Sequence, residues 1–569
     1  MTMRSKLLLG CVAVAAFGIA GAVLFRHARY AGPMPQPIAL QKSDFMVFGG
    51  DYEAQNREGF QPRADVSPFP LQHPLDWNTD PFNDRNWQFQ LSAWRMLNPI
   101  WSRWYGRDWP RLVDELMPWI HDWYVYHVVQ KKQSEFEWYD MSTGYRAQHL
   151  ALLLWLQKKG RLTLSPGQLH EVRALAHWHI AKLRDPDFIT HGNHAIFQLQ
   201  GLRLLCLAWA DDACRGEEAY TARLMGNLLR SQFGKDGVQT ENSPGYHLFV
   251  LDTFARIRPA LYPPIERDFA RTLAQARAVA PWFTLPDGQV VPMGDSAGHG
   301  AKFPREGVPA CSSRDRSGSC IISKDLIAGG YAVVRTSPGT VSAKASMLIV
   351  DGASVVPRSH DHADELSFEL YTGGRRVLVD SGKFSYNDDR WHRYFQSNRA
   401  HNVVGVEGRS FGPDDTVTDG SALQSMVFED GSYIVTGQVE RKGMVHRRRI
   451  SYRPDESVLV ADHLEGAGKM RPVVYWHLAP ELDATVTGTS VDVAAGDDIV
   501  ARVALLEGNC SPAIVRGQGG GTIQGWVSPS YLKRRPATVI EYRCAPGVQN
   551  IRTRIGLAGP ATIKSAKAP

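Results

Sequence analysis

The chain has 569 residues, of which 43% are hydrophobic, 10% aromatic and 21% charged. That length admits two to four domains with full cores, and the composition excludes a small disulfide scaffold, a disordered chain and a collagen-like repeat. Lys and Arg number 64 against 58 Asp and Glu, and the formal charge of +6 suits an acidic partner but is too small and too dispersed to indicate nucleic acid.

Residues 7–25, LLLGCVAVAAFGIAGAVLF, carry no charge and follow Arg4 and Lys6. Such a run is the core of a signal peptide or a single membrane anchor, and its 19 residues favour the anchor. Ala20 and Ala22 offer a cleavage site, but Val23, Leu24 and Phe25 continue the apolar run past it. The expectation is a chain on the periplasmic or extracellular side anchored by residues 7–25, with secretion after cleavage as the alternative. Cysteine usage agrees. Apart from Cys11, Cys206, Cys214, Cys311, Cys320, Cys510 and Cys544 fall into three sequence-adjacent pairs, which an exported protein would oxidise.

Residues 31–84 read as a linker and lead-in. From about 85 to 305 apolar residues recur at helical spacing. Ser165-Pro166-Gly167-Gln168 supplies a capping Ser, a Pro at the first helical position and a Gln at the capping-box position. Leu169, Val172, Leu175, Ala176, Ile180 and Leu183 then share one face. Further helices are predicted over 146–157, 195–210, 217–232, 246–260 and 267–280. Serial helices with short connections indicate helical hairpins in a solenoid or a toroid.

Residues 300–327 look like a junction. From about 328 the pattern turns to short strands: Tyr331–Arg335, Ser346–Val350, Leu366–Tyr371, Arg375–Asp380, Tyr433–Gly437, Ser457–Asp462 and Val473–His477. Gly, Asp, Asn and Pro turns bound them, which predicts an antiparallel sandwich over residues 306–569. The 16 Trp and 19 Tyr suit a cleft for a bulky, partly polar ligand such as a sugar.

Two clusters could carry chemistry. In the strand half, Ser359-His360-Asp361-His362-Ala363-Asp364 is followed by Val379-Asp380-Ser381-Gly382 and Arg399-Ala400-His401-Asn402. If the first stretch is extended, His360 and His362 emerge side by side. His362, Asp380 and His401 could form a zinc set if their strands are neighbours, or they could be loop histidines at a strand edge. In the helical half, Gly192-Asn193-His194 and Glu241-Asn242-Ser243-Pro244-Gly245-Tyr246 each open a helix. Asn193 could equally be a plain N-cap and Tyr246 a core aromatic.

Taken in order, HDHAD, VDSG and YFQSNRAHNVV, with Asn193-His194, the ENSPGY run and Pro292-Met293-Gly294-Asp295, resemble the heparinase II/III-like family of polysaccharide lyases, which includes oligoalginate lyases. The resemblance covers most of residues 85–480. It implies a multidomain α+β fold, an incomplete (α/α) toroid followed by an antiparallel β-sandwich. It also implies β-elimination on a uronic-acid-containing polysaccharide. That reaction must neutralise the C6 carboxylate, remove the C5 proton and protonate the departing O4. Asn193 and His194 are the candidates for the first task, Tyr246 and His360 for proton transfer, and Tyr386 or Tyr394 for a second phenol, with Tyr386 preferred. Arg146, Glu241 and Tyr394 complete the candidate substrate contacts. The resemblance makes His362, Asp380 and His401 ligands of a structural zinc that holds the loop bearing His360.

The clusters make joint sense if Tyr246 and His360 meet with Asn193 and His194 at a cleft. The membrane segment and the basic run Arg447-Arg448-Arg449 depart from the family pattern. A noncatalytic polysaccharide-binding or export-assembly protein, and a glycoside hydrolase using Glu241 and Asp295, are the competing readings.

Overall fold

The computed structural model describes residues 32–296, 308–466 and 468–558. The apolar run at 7–25 and part of the junction lie outside them. Among the described residues, no helix is long and apolar enough to cross a membrane.

Two compact units result. One comprises the chain up to Arg230 together with Thr253–Ala270, the other Ser231–Asp252 together with the chain from Arg271 on. The division does not follow the change of period, because the turn that carries Tyr246 belongs to the second unit.

The first unit is helical. Its helices include Arg85–Ser92, Leu97–Trp104, Trp109–Trp123, Asp140–Lys158, Pro166–Leu183 and His194–Ala208. Ser165 caps Pro166–Leu183 through the expected reciprocal box with Gln168. Asp140–Lys158 crosses His194–Ala208 so closely that a Cβ on Gly144 would lie 2.4 Å from the backbone of Phe197. Glycine is required at that crossing, and the contact fixes the start of the helix that carries His194. The lead-in also belongs to this unit. Asp51 caps a helix at Tyr52–Glu58, Phe45, Val47, Phe60 and Trp77 are buried, and Met46 N–H donates to Gln148 Oε1 at 2.9 Å.

The strands of the second unit are antiparallel. An eight-stranded sheet runs Leu423–Glu429, Ser432–Arg441, Met444–Arg453, Ser457–Glu465, Asn550–Leu557, Asp498–Glu507, Ser490–Ala495, Asp483–Thr487. A six-stranded sheet runs from Ser313–Arg314 to Arg375–Leu378, and a four-stranded sheet contains Pro472–His477 and Val404–Val406. Their inner faces share one core that includes Leu348, Leu370, Val435, Ile450, Val460, Trp476 and Ile540, which makes this the expected sandwich. The strands beyond Asp483 were not read from the sequence, where alternation is diluted by polar and small residues. Cys206–Cys214, Cys311–Cys320 and Cys510–Cys544 are disulfide-bonded.

The basic run is not a patch. Strand alternation turns Arg448 into the core, where it pairs with buried Asp462, while Arg447 pairs with Glu465 at the surface.

Candidate active site

Three sequence motifs are bonded together in the second unit. Asn242, at φ +57°, accepts the Val355 N–H on its Oδ1 at 2.7 Å and donates from Nδ2 to Val355 O at 3.0 Å. Asp295 N–H donates to His360 O at 3.0 Å. Gly294 has φ +55°, and a Cβ there would meet Asn242 O at 2.5 Å and His360 O at 2.8 Å, so this approach also requires glycine. The motifs ENSPGY, PMGD and SHDHAD therefore converge on one loop.

That loop is not a strand. His360 sits at φ +60°, a left-handed conformation costing on the order of 1–3 kcal/mol for a non-glycine residue. Buried cations brace the residues that follow. Arg441 binds the Glu365 carboxylate, and Arg448 donates to Leu366 O at 2.9 Å and Asn402 O at 2.5 Å. The expected strand alternation of His360 and His362 is thus replaced by a different pairing. Both imidazoles reach Asp295, His360 Nδ1 at 3.0 Å from Oδ2 and His362 Nε2 at 3.3 Å from Oδ1. Burial opposes ionisation of Asp295, but hydrogen bonds from the two histidines outweigh it and hold the carboxyl well below the usual carboxylate range. An ionised carboxylate only accepts, so each histidine donates to it. This leaves His360 Nε2 as the basic nitrogen, 3.6 Å from Glu241 Oε2.

The Tyr246 ring lies flat on the His360 imidazole. Its hydroxyl is hydrogen-bonded to the Tyr386 hydroxyl, and Lys383 Nζ donates to Tyr386 Oη at 2.7 Å. Burial first, then the neighbouring Tyr246 and Asp295, push the Tyr386 hydroxyl well above the ordinary phenol range. Tyr386 therefore keeps its proton and can donate it in a hydrogen bond to Tyr246 Oη. Three groups thus line up as ammonium, phenol and phenol, with the charge-donating end at Lys383.

Behind this row, His362, Asp364 and His401 are buried with ligand atoms all within 4.8 Å of one another, a group able to hold a metal ion. The expected third member, Asp380, instead bonds His401 Nδ1 at 2.7 Å, and Asp364 completes the triad. The donors fit a metal. His362 Nδ1 is buried with no hydrogen-bond partner among the described residues, while its Nε2 is held by Asp295. His362 thus has one nitrogen anchored by an acceptor and the other free among the described residues, as metal-binding histidines require, whereas His401 has Nε2 on Phe395 O at 3.1 Å and Nδ1 on Asp380.

Other expected site residues lie elsewhere. Arg146 is fully buried, donating to Ser92 O at 2.6 Å and to His179 Nε2 at 3.2 Å, and burial lowers its pKa to about 9. It is a core hub beside Trp123, not a substrate contact. Tyr394 is likewise buried, donating to Gln524 Oε1 at 3.0 Å within a cluster with Phe384 and Phe395. Neither residue could be placed from sequence, because their burial depends on distant elements. Glu241 is buried against His360. Asn193 and His194 belong to the first unit. Asn193 is buried and makes no capping bond, and His194 Nδ1 donates to Asp140, both of whose oxygens lie at 3.0 Å. Asp140, Lys383 and Asp364 were not singled out from the sequence. Lys383 stands three residues before Tyr386 in an irregular segment, where no periodicity marks it.

Comparison with known proteins bears on this arrangement. Heparin-sulfate lyase of Pedobacter heparinus is 20% identical over 456 residues, 74% of this chain and 66% of that protein. Heparin-sulfate lyase of Bacteroides stercoris is 20% identical over 538 residues, covering 84% and 75%. A crystal structure of heparinase III superposes with a TM-score of 0.66 at 16% identity, covering 97% of this chain and 92% of that one. For heparan sulfate lyase from Pedobacter heparinus the values are 0.58 and 18%, covering 98% and 91%. These likenesses establish the helical-array-plus-sandwich fold. Residues 52–302 match the heparinase II/III N-terminus and residues 322–564 the heparinase II/III-like C-terminal domain, so both halves agree with the motifs assembled around Tyr246 and His360, and the chain belongs to the heparinase II/III-like family.

Proposed function

We propose that this chain is a polysaccharide lyase that cleaves a uronic-acid-containing polysaccharide by β-elimination in the cell envelope. The observation that carries the reading is the row Lys383, Tyr386, Tyr246 against the stacked His360. A free phenol has a pKa near 10, and bringing it about three units lower requires roughly 4 kcal/mol of preferential stabilisation of the phenolate. A neutral hydrogen bond supplies about 1 kcal/mol, so Tyr386 alone falls short. The Lys383 charge behind it supplies the remainder, because a phenolate on Tyr246 would face a donor polarised by an ammonium.

In this mechanism Tyr246, as phenolate, takes the C5 proton. The electron pair left on C5 forms the C4–C5 double bond as the C4–O4 bond breaks, and the phenol returns the proton to O4. His360 Nε2 is the second basic atom at the same place. Buried Asn193 and Asp140-oriented His194 are the candidates for neutralising the uronate carboxylate. The glycosidase reading loses support here. Glu241 and Asp295 flank one imidazole, and the depressed Asp295 cannot serve as the protonated acid a hydrolase needs.

The metal that His362, Asp364 and His401 suit is zinc, by their nitrogen and oxygen donors in a buried site, with Asp380 hydrogen-bonded to His401. When bound it would neutralise buried carboxylates and cross-link the segments at 362–364 and 380–401. Three disulfides and the uncharged run at 7–25 support a location on the periplasmic or extracellular side, anchored by that run.

The test is incubation of the purified protein with a panel of acidic polysaccharides. A lyase yields an ultraviolet-absorbing unsaturated uronate. New reducing ends without that absorbance would indicate hydrolysis, and intact polymer would indicate binding alone.

A further inference from the structure

Residues 517–540 contain Lys533, Arg534 and Arg535 and no acidic residue. All three cations are exposed on a two-stranded hairpin, Trp526–Ser530 with Lys533–Pro536, and among the described residues none of them makes an ion pair. Several other arginines of this unit are matched by carboxylates, Arg447 by Glu465, Arg502 by Asp492 and Arg543 by Glu541, whereas Arg375, Arg449 and Arg554 are exposed without an ion pair among the described residues. Three adjacent like charges without a counter-charge repel one another, and a polyanion would relieve that repulsion.

The hairpin adjoins the candidate active site. Leu532 N–H donates to Phe384 O at 2.7 Å, Ser528 N–H to Ser381 O at 2.7 Å, and Ser528 Oγ to Lys383 O at 2.5 Å. Its strands are thereby fastened to the segment that bears Lys383 and Tyr386. The Tyr531 ring at the hairpin turn is 5.9 Å from the Tyr386 ring. Arg534 lies 4.0 Å over the Trp391 ring, and Trp391 meets Trp526 edge-on at 5.3 Å, both indoles being partly exposed. Partly exposed rings beside unpaired cations form a surface suited to an anionic sugar, apolar where the ring packs and positive where its substituents project.

We propose that this hairpin is a subsite for the acidic glycan chain that flanks the scissile residue. Lys533, Arg534 and Arg535 pair with its carboxylate or sulfate groups, and Trp391 and Trp526 present the stacking surface. The place of the chain rests on the lyase reading, because the hairpin is located by its contact with the Tyr386 segment.

The test neutralises the hairpin, K533Q/R534Q/R535Q, in the full chain. With a long acidic polysaccharide that the parent cleaves, KM rises about tenfold and its salt dependence weakens, while kcat and Tm stay at the parent values. KM and salt dependence within about twofold of the parent would overturn the subsite. Binding is read separately, without turnover, as retardation of the Tyr246→Phe chain in gels containing heparan sulfate or its chemically desulfated form. Retardation lost on both polymers after neutralisation assigns the carboxylates, and loss on the sulfated polymer alone assigns the sulfates. Retardation unchanged by neutralisation, or absent from the start on both polymers, overturns the proposal. If the parent cleaves no polysaccharide the lyase reading fails, yet retardation lost on neutralisation still upholds an anionic-glycan subsite.

Discussion

The imidazole of His360 and the phenol ring of Tyr246 are stacked with centroids 3.4 Å apart and planes 11° from parallel. The 113 residues between them make this a tertiary contact between two sequence motifs. It brings a phenol oxygen and a basic nitrogen to one place. Tyr246→Phe keeps the ring and the stack and removes only the hydroxyl proposed to transfer the proton. Turnover should fall by about 10² to 10⁴, with Tm and gel retardation on the polysaccharide nearly unchanged. Near-parental initial rates of ultraviolet product formation would reassign proton transfer to His360, and activity retained in both Tyr246→Phe and His360→Ala would reject the mechanism.

In the proposed mechanism Lys383 acts through Tyr386, as a positioning residue. Lys383→Met removes a charge-assisted hydrogen bond worth about 1.5–3 kcal/mol, so turnover near neutral pH should drop about tenfold to a hundredfold. The sign on pH is fixed. Without the cation the phenolate forms less readily, so the rising limb of the kcat profile moves to higher pH. Lys383→Arg should recover part of the shift. A uniform loss at every pH, with no displacement of the profile, would indicate a merely structural lysine.

Much of this site was legible in the sequence where the signal is local or a motif. The Ser165 capping box formed as read because its four residues decide it among themselves. Tyr246 and His360 were found because their motifs occur in a fixed order. What failed was anything requiring tertiary knowledge. Arg146 and Tyr394 look like polar contacts on paper and are core residues in space. Alternation misled at His360 because a left-handed residue interrupts it, and the triad's carboxylate is Asp364, in a turn two residues beyond His362. Lys383 lies in an irregular loop, and its role exists only because that loop packs beside Tyr246.

The buried triad predicts a structural metal. Metal analysis of the purified protein should find about one zinc per chain. Dialysis against chelator should lower Tm, since a ligand present a thousandfold above its Kd stabilises the folded state by about 4 kcal/mol. His401→Ala and Asp364→Asn should each lose metal and Tm together, and chelator should no longer affect the His401→Ala protein. No stoichiometric metal, with a Tm indifferent to chelator, would leave the triad as a hydrogen-bonded histidine cluster.

Asp462 supports the catalytic loop from within the sandwich, and its pH dependence has a definite direction. Its oxygens accept from Arg448 Nε at 2.7 Å and Nη2 at 3.2 Å and pair with His446 Nε2 at 2.7 Å. Burial disfavours the carboxylate, but Arg448 and His446 more than offset it and lower the pKa to about 2. A carboxyl depressed in the folded state contributes stability above its unfolded pKa of about 3.8, and that contribution is lost as pH falls toward 2. The shift corresponds to about 2 kcal/mol at neutral pH. Asp462→Asn should lose at least this much, and up to about 5 kcal/mol, because Arg448 is then left buried without its partner. Because Arg448 also holds Leu366 O and Asn402 O, the segment following His360 and the one containing His401 lose a brace in the same variant. Denaturant unfolding between pH 7 and 2 checks both statements. The parent's stability should decline more steeply than the variant's below about pH 4, and parallel curves would remove Asp462 from the account of acid stability.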